Sequence, residues 1–399
     1  MKAKLLAQAC AALDQFRIEV PSWGFADTGT RFGKFYQDAA AIDLDDKLAD
    51  AGEVNRLTGC CPTVAVHVLW DFPSGSDPRA VARLARRHGI RIGSINPNLF
   101  QDQEYKWGSL TNRDPAIRRR ALDHLRASVE IGKALGSDSV SLWLGDGISY
   151  PGQANLRERK HALTRCLQTC HRWLSRRQTL LLEYKPFEPA FYATDLADWG
   201  MAYVLAKKTG ARAKVLVDTG HHYQGQNIEQ IVAFLLDEEM LGGFHFNDRR
   251  YADDDLTFGS LDPYQAFRIF HEIHSFAADR GRTPSIAYMI DQSHNEKPKV
   301  EATLQTVLIA QALFAKAALV DHAELRRQQA REDVIGAEML LQEAFFGDIR
   351  PALATWRRRR GLPLDPLASY RKSGYADRAA ADRRRRRRQL NLPLSGAYA

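Results

Sequence analysis

Apolar and β-branched residues gather in eight short runs along the chain: Arg17–Trp23, Thr63–Trp70, Arg91–Asn98, Ser139–Asp146, Thr179–Lys185, Lys214–Asp218, Gly242–Asp248 and Ser285–Asp291. Runs of this length between polar or Gly/Pro residues read as strands buried on both faces. Between them apolar positions return every three or four residues, which predicts helices over Pro78–His88, Pro115–Leu135, Leu156–Arg176, Leu196–Lys208, Asn227–Leu236, Pro263–Asp279 and Lys299–Leu319. The interval Ala26–Gly59 is longer and partly loop-like, with Leu48–Leu57 as its helix. Eight strands alternating with helices predict an α/β fold, a (β/α)8 TIM barrel, over residues 1–319. A doubly wound sheet is the alternative, but no Gly-x-Gly-x-x-Gly follows the first strand.

Residues 320–399 read as a helical, Arg-rich C-terminal extension. Asp321–Gly347 carries one long helical pattern, the stretch from Gly361 to Pro366 breaks it, and Asp377–Leu390 predicts a last basic helix. These elements are too short and too charged for a core of their own, so they are expected to wrap the barrel or dock on a neighbouring subunit. The net charge of +8 belongs to this extension: from Ala352 onward thirteen Lys/Arg face three Asp, a balance of +10 that leaves −2 for the rest. Its arginines cluster at Arg357–Arg360 and Arg383–Arg388 and read as a solvated face or tail. No base-stacking aromatics accompany them, so nucleic acid is not an expected partner. No run approaches the length of a membrane span, and Met1–Leu5 starts no signal sequence. Five cysteines form no framework, with Cys166 and Cys170 reading as buried small hydrophobes, which fits a reducing cytoplasm.

In a barrel of this kind the chemistry lies at the carboxyl ends of the strands. Read there, the chain supplies Glu183 and Lys185, Asp218 with the following His221 and His222, His245 and Asn247, Asp253 to Asp255, and Asp291. Glu183 and Lys185 share one strand face by the two-residue side-chain period. A buried carboxylate and ammonium are costly unless they hold a metal or a polar ligand. Each group has an ordinary reading: an ion pair, a polar loop pair, a satisfied core histidine or an acidic turn. Their coincidence at one rim points to a metal site, and oxygen donors with imidazole suit Mn, Co, Zn or Mg.

The segment Glu183-Tyr184-Lys185-Pro186-Phe187-Glu188-Pro189 resembles the metal-dependent sugar isomerases. With Asp218-Thr219-Gly220-His221, Gly243 to Asp248, Asp253-Asp254-Asp255 and Met289-Ile290-Asp291, the chain resembles the L-rhamnose isomerases of the broad-specificity bacterial type, relatives of the xylose isomerases. The resemblance runs from Arg17 to about Asp291 and is weaker beyond. It implies two divalent ions, with Mn2+ expected and Co2+, Zn2+ or Mg2+ as alternatives. Glu183, Asp218, His245 and Asp291 would hold the first; His221, Asp253 and Asp255 the second, with Asp218 bridging. It further implies a free monosaccharide substrate and a homotetramer. Xylose isomerases carry an acid where this chain has His245, Glu where it has Asp218, and an acid where Trp70 follows His67, which favours the rhamnose branch.

The activity so implied moves hydrogen between C1 and C2 of a sugar. Lys185 would stabilise charge at O1. The second site, with His221, Asp253 and Asp255, would acidify a bound water that takes the O2 proton before hydride shifts; an enediol route is the alternative. His67, Trp70, Phe100 and Trp143 are expected to line the sugar pocket, with His67 assisting ring opening. Ser22–Gly29 resembles the mobile loop that covers the site in that family. A ketose 3-epimerase is a competing reading, against which the apparent second metal site and Lys185 argue. A metal-dependent barrel nuclease, to which the arginine tail lends slight support, and a non-catalytic nucleic-acid-binding protein, against which the ligands present at every motif speak, are the others.

Overall fold

Each apolar run forms a parallel strand, and neighbours in sequence are neighbours in space. The computed structural model describes residues 3–30, 33–72, 75–251, 254–392 and 396–397. Its main sheet consists of β1 Val20–Pro21, β2 Thr63–His67, β3 Arg91–Asn96, β4 Ser139–Trp143, β5 Thr179–Glu183, β6 Ala213–Asp218, β7 Leu241–Phe246 and β8 Ala287–Ile290, paired in that order. The last strand returns to the first: Glu19 N–H donates to Tyr288 O at 2.8 Å and Ile290 N–H to Glu19 O at 2.9 Å. This closes the expected (β/α)8 barrel. Glu19 also sends its buried carboxylate across to Ser94 N–H at 2.9 Å. Any side chain at Gly93 would place Cβ 1.4 Å from Glu19 Oε2, so glycine is required there.

The outer layer contains α1 Ala3–Gln15, α2 Leu44–Thr58, α3 Pro78–Arg87, α4 Pro115–Leu135, α5 Leu156–Trp173, α6 Trp199–Thr209, α7 Ile228–Asp237, α8 Pro263–Arg280 and α9 Lys299–Ala317. From α2 to α8 every helix starts on Asp or Asn (Asp43, Asp77, Asp114, Asn155, Asp198, Asn227, Asp262), whose side chain accepts a first-turn N–H. These caps satisfy backbone donors that helix geometry leaves unpaired. Most elements lie where the periodicity predicts them. The strand expected over Thr63–Trp70 stops at His67 because Val68–Asp71 forms one helical turn, which carries Trp70 off the strand. The run Arg17–Trp23 narrows to β1 followed by a 3-10 turn, Ser22–Phe25.

The C-terminal extension comprises α10 His322–Ala330, α11 Val334–Phe346, α12 Arg350–Arg359, α13 Pro366–Ser373 and α14 Tyr375–Gln389. The single helix expected over Asp321–Gly347 is two, because Glu332 takes φ +57° and Asp333 caps a new start. The extension packs on the barrel: Ile349, Ala352, Leu353 and Trp356 of this region share a cluster with Ala9, Cys10 and Leu13 of α1 and Ala315 of α9.

The reading of the arginine runs as solvated is corrected here. Arg357, Arg383 and Arg387 are buried. On α14, Arg383 sets two nitrogens on the Asp50 carboxylate of α2, at 2.8 and 2.9 Å. One stripe of the helix carries inserted arginines, because positions four apart on a helix share a face. Arg384, by contrast, pairs with Asp38 at the surface.

Burial pushes the Asp50 carboxyl up to about 6 even with Arg383 opposing it. Arg383→Met should therefore leave an uncompensated buried carboxylate and cost about 3 kcal/mol or more, since breaking a buried pair is far more harmful than losing an exposed one. Arg384→Ala should cost roughly 1 kcal/mol or less. Urea denaturation of the two variants measures the contrast; equal losses would contradict it.

Candidate active site and metal centre

Side-chain alternation stacks a polar layer on an apolar one inside the barrel. Leu181, Leu216 and Met289 pack together in the lumen. Two residues further along the chain come Glu183, Asp218 and Asp291, and His245 follows Gly243 by the same step. Four neighbouring strand ends thus point four ligand-type side chains at one spot. Their donor atoms lie within 4.8 Å of one another. That spread is roughly twice a metal–donor bond of about 2.1 Å, so one ion can reach all four.

The electrostatics of this cluster ask for a cation. Glu183, Asp218 and His245 are all buried, and among the described residues two imidazoles lie at ion-pair distance from Glu183 and Asp218. His245 Nδ1 lies 3.1 Å from Glu183 Oε1 and 3.5 Å from Asp291 Oδ2. Burial alone would lower the His245 pKa, but the Glu183 carboxylate beside it lifts it to about 9. Burial pushes Glu183 up, and His245 more than reverses this, holding it below its usual value. Burial drives Asp218 up to about 7, and Asp291 also rises through burial. A proton on His245 therefore stands where a divalent cation would balance several carboxylates at once. The donor set fits such an ion, and His245 Nε2 is buried without a hydrogen-bond partner.

His221 adjoins the cluster, with Nδ1 3.0 Å from Tyr184 O and Nε2 3.9 Å from Asp218 Oδ2. A ring oriented by a carbonyl with its other nitrogen aimed at a carboxylate is a common ligand geometry. Asn247 Nδ2 donates to both Asp218 oxygens at 3.1 Å and to Asp255 Oδ1 at 3.3 Å, which links Asp255 to the centre. A Cβ on Gly220 would sit 2.4 Å from Asn247 Oδ1, so this turn needs glycine for the close approach. Asp253, the third expected ligand of a second ion, lies outside the described residues. His222 turns away and meets the Tyr184 hydroxyl at 2.7 Å.

A cavity of ≈ 210 Å³ opens beside the cluster, and among its lining residues are His67, Trp70, Phe100, Trp143, Lys185, His221, His245, Asp255, Glu183 and Asp291. Every described residue expected to bind metal or sugar lines this cavity except Asp218, which lies fully buried within the ligand cluster, whereas His222, Asn247 and Asp254 of the same rim do not line it. The aromatic wall is continuous: His67 and Trp70 stand 4.1 Å apart, and Phe100 and Trp143 4.9 Å. Lys185 Nζ lies 5.1 Å from the Trp143 ring centre and 3.4 Å from Glu188 Oε2. Asn96, Ser141 and Trp23 also line the cavity. Single polar residues inside apolar strands were the available signal for the first two. Trp23 lies in the Ser22–Gly29 segment expected to cover the site, and its Nε1–H donates to Asp291 Oδ1 at 2.9 Å. Asp71 supports this wall, since Oδ2 accepts from Ser22 Oγ at 2.6 Å and from His67 N–H at 2.9 Å.

A family model described as a xylose isomerase-like TIM barrel matches residues 63–304. Proteins named probable sugar isomerases from Mesorhizobium japonicum and Rhizobium meliloti are each 38% identical over 378 residues, which is 94% of this chain and 87% of theirs. A solved structure of an L-ribulose 3-epimerase superposes with a TM-score of 0.51 at 16% identity, over 80% of this chain and 98% of that one, a likeness of fold.

Metal binding must displace the His245 proton and compete for Asp218, so affinity should rise with pH through the range from about 7 to about 9. Calorimetric titration of chelator-treated protein with Mn2+ at several pH values measures this, together with the protons released. A pH-independent affinity, or binding that survives Asp218→Ala unchanged, would contradict the assignment.

Proposed function

Because the chain belongs to the xylose isomerase-like TIM barrel family, we propose that it is a metal-dependent aldose–ketose isomerase that interconverts L-rhamnose and L-rhamnulose and accepts other free aldohexoses and ketohexoses. One observation carries the reading. His67 Nδ1, Ser141 Oγ and Trp143 Nε1 are buried without hydrogen-bond partners on residues that line the same cavity as Glu183 and Asp291. Buried polar groups are rarely left unpaired. Set into an aromatic wall, they suit a small ligand with hydroxyls on one side and C–H faces on the other, which describes a monosaccharide.

In this reading Glu183, Asp218, His245 and Asp291 would hold one divalent ion, and His221, Asp255 and Asp253 a second, with Mn2+ as the proposed metal. Such ions, when bound, polarise the sugar's oxygens and lower the pKa of bound water. Lys185 donates to O1 and offsets the charge that develops there as the carbonyl moves between C1 and C2. Trp143 confines the ammonium from one side. Burial pushes His67 down to about 3, so its imidazole is neutral and can hydrogen-bond the ring hydroxyl during opening. The aromatic wall keeps water from the carbons while hydrogen passes between C2 and C1.

The apolar outer face of α11 supports assembly as a homotetramer: Val334 and Ile335 are each 73% exposed and Phe346 76%. The five buried free cysteines suit a cytoplasmic protein. Residues 1–319 would form the catalytic unit, with 320–399 as its extension.

Lys185→Met keeps the stem and removes the charge, so kcat for ketose formation from L-rhamnose should fall by about a hundredfold or more while Mn2+ affinity persists. His221→Ala should likewise lower kcat more than it raises KM. Normal turnover by Lys185→Met would overturn the assignment. Running the reaction in D2O separates the routes: an internal transfer leaves carbon-bound hydrogen unexchanged, whereas an enediol picks up deuterium.

A further inference from the structure

We propose that Arg387, on the last helix, is a positioning residue for the cavity: its ion pair with Asp27 fixes the segment that lays Trp23 on Asp291. This rests on the reading of the cavity as the sugar and metal site. Arg387 Nη2 lies 2.6 Å from Asp27 Oδ2, with both side chains 5% exposed. The same nitrogen donates to Ala40 O at 3.1 Å. One helical turn earlier, Arg383 donates to Ala39 O. Residues 39–41 lie against the Trp23 turn itself, since Ala41 N–H donates to Phe25 O at 2.9 Å and Ala26 pairs with Ala41.

Asp27 is the centre of this arrangement. Its Oδ1 accepts Gln37 N–H at 2.8 Å. The Gln37 amide in turn donates to Asn295 O at 2.7 Å and Lys297 O at 3.0 Å, in the loop that follows Asp291. One carboxylate, neutralised by Arg387, therefore ties together the segment carrying Trp23 and the segment carrying Asp291. Between them runs the 2.9 Å Trp23–Asp291 hydrogen bond. A hydrogen bond to a ligating carboxylate sets its orientation and its affinity for metal. A buried ion pair is weak support for stability compared with apolar packing, and its best-attested use is to fix register. Here the register is that of Trp23 over the cavity.

The test compares Arg387→Met with Arg386→Met. Arg386 is the neighbouring residue and pairs with Asp43 and Asp46 at the start of α2, without reaching Asp27. The protein is labelled with 5-fluorotryptophan, and the Trp23 resonance is identified by its loss in Trp23→Phe. Arg387→Met should shift the Trp23 resonance, weaken Mn2+ binding by about three- to tenfold, less than or at the lower edge of the range for direct ligand partners, and raise the sugar KM more than it lowers kcat. Arg387→Lys should restore part of each. Arg386→Met should lower Tm while leaving the resonance and the Mn2+ affinity unchanged. Should Arg387→Met fail to fold, Asp27→Asn retains an acceptor for Gln37 and carries the same comparison. An unmoved Trp23 resonance with wild-type Mn2+ affinity, or equal changes in Arg386→Met, would overturn the proposal. The resonance and the Mn2+ titration need no turnover, so they decide it even if the protein does not isomerise L-rhamnose.

Discussion

Glu183, Asp218 and Asp291 place three carboxylates within reach of one another at the mouth of a parallel barrel, two of them fully enclosed. Charges so placed repel, and each has lost its hydration. The surroundings are arranged to make this tolerable. Two imidazoles face the carboxylates, Asn247 donates to both oxygens of Asp218, and the Trp23 indole donates to Asp291. Even so, Asp218 stays raised to about 7, so the protein side chains alone leave negative charge poorly compensated. That deficit is what a divalent ion would relieve.

The same logic recurs at lower intensity in the C-terminal extension. Asp27, Asp46 and Asp50 are drawn under α14, and arginines on one face of that helix meet them. The two regions communicate through short covalent and hydrogen-bonded links: Asp27 is four residues from Trp23, and Trp23 touches the ligand cluster. What reads in sequence as an appended basic tail is thus continuous with the wall of the cavity. Ser22 and His67 add a parallel support, both anchored on Asp71, which Lys47 neutralises at 2.6 Å.

Much of the barrel is legible in sequence because a strand buried on both faces must be apolar along its length, while helices must return an apolar face every three or four residues. Where Thr63–Trp70 and Arg17–Trp23 run past their strands, the hydrophobic signal is the same for strand and one-turn helix, and only the chain's path decides. The helices α1, α12 and α13 went unread because they lie outside the strand–helix alternation and pack on partners remote in sequence, as Cys10 and Leu13 do on Leu353 and Trp356. Arg383–Arg388 misled for a related reason. Composition alone cannot tell an arginine in water from one placed on a buried aspartate more than three hundred residues away, as Arg383 is on Asp50.

Sequence by itself determined the alternation of strands and helices, the glycines and caps that end them, and the polar residue that follows the apolar layer on each of four strands. Strand period brings those positions to one rim once the barrel closes, and the resemblance to the sugar isomerases singles out Glu183, Asp218, His245 and Asp291 among the polar residues there. Only the tertiary structure decided which histidine of the His221–His222 pair faces the centre, that Trp23 rests on Asp291, and that Arg383 and Arg387 of the arginine run are buried. Each of these depends on which side chains become neighbours across long stretches of chain. Burial and pairing, unlike periodicity, are properties of that neighbourhood rather than of the residue.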